Sequence, residues 1–449
     1  YDIIDINGQQ GFPRKEFKLI DLTLRMFIDP ILDLDLGLLE QHLMETRQRK
    51  EDLLSDAGVT KETLMSNPKF AELLTRLNVE PPTKISPTTG KKTLALAKSD
   101  EEFKKLTEHS NEKVRALVNA RLGTKSTLEE TRTERFIDIG KRGLLPVPIR
   151  YYSAHTGRWG GDDKINLQNL PSRGADGKKL KRSIIAPQGC NLIDADSSQI
   201  EARVLAWLAE QDDLTEAFRN GDDVYKKMAS VIYNVKEEDV TKDQRFVGKT
   251  TILGAGYGMG AVKFQNQLKT FGFNMDISEA RRVVKVYRDT NWRVNKLWRC
   301  AQHYLKSSVN GEDKPFRLHG ILNVENGRIK LPSGLYITYD NLRTIQQEGE
   351  HEYVYTTRTG DTRIYGGKIV ENVCQAIARC IIGEQMLQIA KRYRVVLTVH
   401  DSIVCCVKEE NTEEAQQYIE ECMKWTPDWA SGLPVDCESG IGKSYGDCE

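Results

Sequence analysis

Two apolar runs, Val395-Val-Leu-Thr-Val399 and Ile403-Val-Cys-Cys-Val407, are separated only by His400-Asp401-Ser402. Short runs rich in β-branched residues on either side of a tight polar break read as an antiparallel hairpin, here with an acid at its turn. A further strand, Asn191 to Ala195, also ends on an acid, Asp196. It gives way to a helix marked by Ile200, Val204, Leu205 and Leu208. The chain therefore has to fold around strands that carry acids at their ends, flanked by apolar runs expected to bury them. Paired buried acids are costly unless a metal ion or a cation neutralises them. Each acid alone says little. Asp is a common turn residue, and Ser198 with Glu201 three residues on also reads as a capping box at a helix start. A lone His400 is more often packed or on the surface than catalytic. Glu201 could cap a helix and still form the wall of a pocket.

Between the acids runs Arg245-Phe-Val-Gly-Lys249-Thr-Thr-Ile-Leu253-Gly-Ala-Gly-Tyr257-Gly258. Residues four apart rotate only ~40° around a helix, so Arg245, Lys249, Leu253 and Tyr257 form one slowly turning stripe. A solvated charged face is the bland alternative, but it would leave Leu253 and Tyr257 needlessly exposed. Two carboxylates able to share a pair of divalent cations, with a cationic helix for a triphosphate, are the parts of a nucleotidyl transferase. Two lookalikes fail. Gly248-Lys249-Thr250 and Gly442-Lys443-Ser444 resemble the end of a P-loop, but the required first glycines are Asp243 and Cys437. The glycines at 254, 256, 258 and 260 do not follow a strand and open a helix, so they are no dinucleotide fingerprint.

With 449 residues the chain has room for two or three domains. Its 65 basic and 65 acidic residues cancel, which excludes a globally basic nucleic-acid binder but not a basic cleft. Lys178, Lys179, Lys181 and Arg182 form one local cluster. None of the nine cysteines forms Cys-x-x-Cys, a pattern that fits a reducing cytoplasm, bacterial or of an infected host cell. No apolar run suggests a membrane span or a membrane partner. The chain opens on Tyr1 rather than Met and reads as a fragment or a processed product of something longer.

Residues 36–150 are mostly helical in pattern, with Leu36, Leu39 and Leu43 on one face. A turn-rich break follows Pro81-Pro82. Residues 211–310 read as helices, 313–370 as hairpins and loops, and 370–392 as a helix leading to the hairpin. The class is mixed α+β.

These segments resemble the polymerase domain of family A DNA polymerases, the DNA polymerase I type. Asp196-x-Ser198-x-x-Glu201-x-Arg203 is similar to motif A, Arg245-x3-Lys249-x7-Tyr257-Gly258 to motif B, and Val399-His400-Asp401 to motif C. Thr156-Gly157-Arg158 and Asn166-Leu-Gln168-Asn169-Leu-Pro171 match flanking blocks, Ser86 to Thr93 resembles the thumb loop, and Glu371 to Arg379 the helix before motif C. The resemblance covers nearly the whole chain in order. It implies a right-hand fold with an antiparallel palm sheet and helical thumb and fingers. The lead-in would be 1–21, the thumb 22–145, the palm 146–210 and 340–449, and the fingers 211–339.

The resemblance also implies roles. Asp196 and Asp401, with the Ser197 carbonyl, would hold two Mg²⁺ ions, with Mn²⁺ as a substitute. Arg245 and Lys249 would bind the triphosphate, Lys249 placed to offset or protonate the leaving group. Glu201 would act as a steric gate against a ribose 2′-OH, and Tyr257 would stack at the nascent pair. Ser197, Gln199, Tyr225 and Leu253 would complete the dNTP site. Arg158, Gln168, Asn169, Gln375 and His400 would contact primer-template DNA. Replication accessory proteins are further expected partners. The implied activity is template-directed DNA synthesis in replication or repair.

Four departures from the pattern stand out. Ser402 replaces the acid that commonly follows the motif C aspartate, which implies looser metal geometry. Leu253 stands where Phe or Tyr is usual, so dideoxynucleotide terminators should be poorly used. Tyr225 replaces a histidine, and Glu371 stands at a frequent Asn. Together these look more like viral members of the family. Tyr1-Asp-Ile-Ile-Asp5-Ile-Asn lacks the Asp-x-Glu strand of a proofreading exonuclease, so no 3′-to-5′ degradation is expected. A single-subunit RNA polymerase shares the palm and His-Asp-Ser, but Glu201 argues against it. Retention of Asp196, Asp401, Arg245, Lys249 and Tyr257 together argues against a non-catalytic nucleic-acid-binding protein.

Overall fold

The computed structural model describes residues 12–86, 90–171, 177–312, 322–325, 328–347 and 350–448. The Tyr1–Asn7 segment read above lies outside these residues, as do residues 87–89 of the expected thumb loop. The chain divides into two compact units. One comprises residues up to Leu32, Pro146–Asn169 and Ala186 onward, and the other comprises Asp33–Leu145 and Leu170–Ile185.

The smaller unit is helical. Its helices of five or more residues span Leu36–Ala57, Lys61–Met65, Asn67–Arg76, Glu101–Lys105, Glu112–Thr124 and Leu128–Gly140. Asp35, Thr60, Ser66 and Asn111 each cap a helix N-terminus with a side-chain oxygen, which satisfies amides that have no partner within the helix. Leu64, Phe70, Leu74, Phe103, Val114 and Val118 form its core. Arg121 is fully buried there. It bonds to the Leu64 and Leu96 carbonyls and to Asn67, and its guanidinium lies 4.6 Å from the Phe70 ring centre. The expected Leu36–Leu39–Leu43 stripe is rotated. Leu39, His42 and Thr46 are the buried face, because that is where helices 112–124 and 128–140 pack. The turn-rich break is a small hairpin, Thr83–Ile85 with Lys92–Leu94.

The larger unit holds all the candidate site residues. Helix α1, Arg14–Ile28, crosses the boundary expected at residue 21 and lies on the helix 366–389. Four antiparallel strands form the central sheet: β1 (Cys190–Ser197), β2 (Arg394–Val399), β3 (Ser402–Lys408) and β4 (Cys437–Gly442), in the order β2-β3-β1-β4. Strand β3 is buried from Ser402 to Val407, as its unbroken apolar sequence requires. Helices α2 (Ile200–Leu208), α3 (Val224–Tyr233) and α4 (Lys242–Ala255) follow β1. Helix α5 (Gly366–Ile389) begins and ends a few residues before its expected bounds and is buried on nearly every side, the pattern of a helix inside a large core. Helix α6 (Thr412–Lys424) packs on the sheet. Two three-stranded sheets, 323–337 and 343–364, stand where hairpins were expected.

Buried between α1 and α5, Arg379 pairs with Glu16, each side chain being 2% exposed. The second Arg379 bond to Glu16 is 2.7 Å, and Tyr151 also donates to Glu16. The rings of Tyr151, Tyr152 and Trp159 surround the guanidinium at 5.2, 5.4 and 4.8 Å.

Candidate active site

Strand register builds the acidic end of the site. Ser402 of β3 lies directly across from Asp196 of β1, and Glu438 of β4 lies on its other side. The turn His400-Asp401 joins β2 to β3, and the Ser197 amide donates to the Asp401 carbonyl at 3.1 Å. The two acids thus stand at one end of adjacent strands. They are not buried as expected: Asp196 is exposed and Asp401 half-buried, because both lie past the last apolar pair of the ladder.

Non-glycine residues in the left-handed region flank both acids. Gln199 has φ +55° and His400 φ +54°. Such conformations cost free energy and persist where the surroundings hold them. At His400 the holder is Gln168. Its buried amide donates to the Thr398 carbonyl at 2.6 Å and accepts from the His400 amide at 2.9 Å. At Gln199 the bend starts α2 without a side-chain cap. The Ser198–Glu201 capping box does not form. The Ser198 amide instead donates to the Asp436 carbonyl at 2.9 Å, and Glu201 points elsewhere.

Glu201 joins both ends of the site. Arg158 bonds to Glu201 and also reaches Oδ1 of Asp401 at 3.2 Å, while the Tyr257 hydroxyl donates to Oε2 of Glu201 at 3.3 Å. Burial pushes the Glu201 carboxyl up, and Arg158 offsets part of that rise. Burial works against the Arg158 charge, yet Asp401 and Glu201 more than compensate and hold it above its ordinary value. Burial raises the Tyr257 hydroxyl strongly, so it is a neutral donor.

Thr241 and Gln244 form a true capping box at the start of α4. The helix ends at Ala255, so Tyr257 lies in the turn beyond it rather than on the stripe. Leu253 is 43% exposed, an apolar side chain presented beside the cations. Arg245 Nε donates to Asp223 at 2.6 Å, and its guanidinium lies 5.4 Å from the Tyr225 ring centre. The Lys249 ammonium lies 5.8 Å from the same ring. Tyr225 is buried and acts as a platform under both cations. Burial alone would raise the Asp223 carboxyl, but Arg245 and the amides of Lys226 and Tyr225 bring it below its ordinary value.

The remaining expected DNA-contact residues fall into two groups. Asn169 and His400 are exposed. Gln375 is half-buried, within 3.5 Å of the Thr156 hydroxyl, and donates to Glu371 at 3.4 Å. The Gln168 amide is spent on the hairpin backbone. Asp223 and Asp194 escaped the sequence reading. Asp223 carries a helix-start signature, but its pairing with Arg245 is set by tertiary packing. Asp194 was detectable, since it precedes Asp196 by two and so shares its face of the strand.

An all-oxygen donor set suits a hard divalent cation. Asp196 and Asp401 would supply carboxylates and Ser197 a carbonyl, and the buried Ser197 hydroxyl has no hydrogen-bond partner among the described residues. Residues 36–310 match the profile described as DNA polymerase family A, a span that includes Asp196, Arg245 and Lys249. The chain is 26% identical to a DNA polymerase of Bacillus phage SP02, over 92% of this chain and 68% of that protein. It is 28% identical to DNA polymerase I of Pseudomonas aeruginosa over 71% of this chain, but spans only 32% of that longer protein. Its fold matches the POL domain of Pol1 from M. smegmatis, solved in complex with DNA primer-template and dNTP. That match has a TM-score of 0.70 and 22% identity, and covers 97% of this chain and 70% of the other. The chain belongs to DNA polymerase family A, the DNA-directed DNA polymerases, and carries the family's polymerase domain.

Proposed function

We propose that this chain extends a primer 3′-OH with dNTPs under the direction of a DNA template, releasing pyrophosphate. The observation that carries the reading is the continuous chain Tyr257–Glu201–Arg158–Asp401. It ties the end of the cationic helix to the acidic strand ends, as a site for both a triphosphate and a pair of cations requires. Asp196, Asp401 and the Ser197 carbonyl would hold two Mg²⁺ or Mn²⁺ ions. Bound divalent cations lower the pKa of an attacking hydroxyl and stabilise a leaving pyrophosphate.

The protein's own part is positioning. Arg245 and Lys249 bind the triphosphate, and Lys249 neutralises or protonates the departing group. The Glu201 side chain, fixed from both sides, fills the space of a ribose 2′-OH. Tyr257 stacks at the nascent pair, Gln199 and Tyr225 line the dNTP site, and Arg158, Asn169, Gln375 and His400 face primer-template DNA. Gln168 acts by holding the His400 turn. Thumb, palm and fingers follow the residue ranges given above. The chain works in replication or repair with accessory proteins, and its described residues serve synthesis without proofreading. Among them no helix is long and apolar enough to cross a membrane.

Primer extension with Mg²⁺, comparing dNTPs with rNTPs, tests the reading. Template-directed dNTP addition is expected, and rNTP addition at an equal rate would overturn it in favour of RNA synthesis.

Two variants probe the nucleotide pocket. Asp223→Asn leaves Arg245 Nε without its charged acceptor. The KM for dNTPs should rise about tenfold, the value of a charge-assisted hydrogen bond, with a smaller change in kcat. The same carboxylate also links the α3 start to pH. Its pKa is depressed on folding, so its stabilisation is present above its unfolded pKa and is lost as pH falls through the folded value. Between about pH 5 and 3 the wild type should lose melting temperature faster than the Asn variant.

Leu253 offers no hydrogen bond near the sugar. Leu253→Tyr supplies a hydroxyl that can stand in for a missing 3′-OH. Discrimination against dideoxynucleotides should fall roughly tenfold or more, read from termination ladders.

A further inference from the structure

Ser402 is the residue of the acidic end that the mechanism above leaves unused. Its hydroxyl donates to Oδ1 of Asp194. Asp194 and Asp196 lie two apart on β1, so their side chains share one face of the sheet. Ser402 lies directly across the ladder from Asp196 and directly follows Asp401. A single hydroxyl therefore links a third carboxylate to the residue that pairs with Asp196 and follows Asp401. Asp194 is only partly buried, and it faces Val404 across the ladder, two residue pairs inside the Ser402–Asp196 pair. It sits behind the site rather than at its mouth.

We propose that Asp194 is a positioning residue for the divalent cations, acting through Ser402. Its carboxylate fixes the Ser402 hydroxyl, and with it the spacing of β1 and β3 where Asp196 and Asp401 stand. Its charge also adds negative potential on the face that carries Asp196. Groups that orient metal ligands from behind typically affect metal affinity by ten- to a hundredfold, roughly. The proposal rests on the reading of Asp196 and Asp401 as metal ligands, and the test separates the two.

Mn²⁺ binding is measured by electron paramagnetic resonance on the full chain bound to a primer-template with a 3′-dideoxy end, so no turnover is needed. Asp194→Asn should weaken Mn²⁺ binding about tenfold and raise the Mg²⁺ needed for half-maximal extension by a similar factor. High Mg²⁺ should recover much of the rate. Ser402→Ala should act in the same direction, and the double variant should be no worse than Asp194→Asn alone, because the two residues form one unit. Asp194→Ser combined with Ser402→Asp, which moves the carboxylate across the ladder, should regain part of the lost affinity.

Wild-type Mn²⁺ affinity in Asp194→Asn would overturn the proposal. So would a lowered melting temperature and rate with no change in metal half-saturation, the signature of a merely structural role. Undiminished Mn²⁺ binding in Asp196→Ala and Asp401→Ala would instead overturn the metal reading itself.

Discussion

Asp401→Ala should abolish primer extension while leaving the protein folded and able to bind primer-template DNA. On the proposed reading Asp401 holds catalytic cations, and losing such a carboxylate removes several kcal/mol of transition-state stabilisation, so the rate should fall by roughly three to four orders of magnitude. The turn itself should survive. Its geometry is held by the Gln168 bonds to the Thr398 carbonyl and the His400 amide, not by the Asp401 side chain. Arg158 keeps Glu201 as a partner, so no buried charge is stranded. Single-turnover extension against gel-shift affinity is the decisive comparison. An equal loss of both would mean that Asp401 serves DNA binding and not chemistry.

The largest effect on stability is expected at Arg379. Replacement by Ala strips the almost wholly buried Glu16 of its cation and leaves it Tyr151 as the one side-chain donor among the described residues. Breaking a buried ion pair from one side costs about 3–5 kcal/mol, and the three surrounding rings lose their cation as well. The urea midpoint should fall accordingly. Replacing both partners by Met should cost much less than the sum of the two single changes, since neither charge is then stranded. Arg379 lies one helical turn after Gln375, and its aromatic cage flanks Arg158 in sequence. Activity should therefore decline at temperatures where the variant is still folded.

Much of this architecture was legible because it rests on local pattern. The hairpin of β2 and β3 declared itself by two apolar runs and a polar break, and β1 by its apolar run and terminal acid. The α4 helix was plain from its four-residue stripe, although Gly256 and the turn that follows carry Tyr257 off it. The misreadings share a cause. The face of helix 36–57 was assigned to its leucines, but packing against two helices far along the chain buries His42 and Thr46 instead. The Ser198–Glu201 cap satisfied a local rule, yet Glu201 was claimed by Arg158 and Tyr257, residues 43 and 56 positions away. Asp196 and Asp401 looked buried from their flanks, whereas exposure at a strand end depends on the neighbouring strand, which sequence does not display. Asp223 and Gln168 carry no signal of their tertiary partners for the same reason.

The strand order has a consequence for the nascent chain. Both neighbours of β1, strands β3 and β4, come from the last part of the sequence. During synthesis β1 therefore waits with both edges open while more than two hundred residues follow it. An apolar strand with open edges invites pairing with another copy. Asp194 and Asp196 put like charges on one face of that strand, and like charges set opposite each other oppose such pairing. The acids proposed to hold cations in the finished sheet also oppose pairing between unfinished chains.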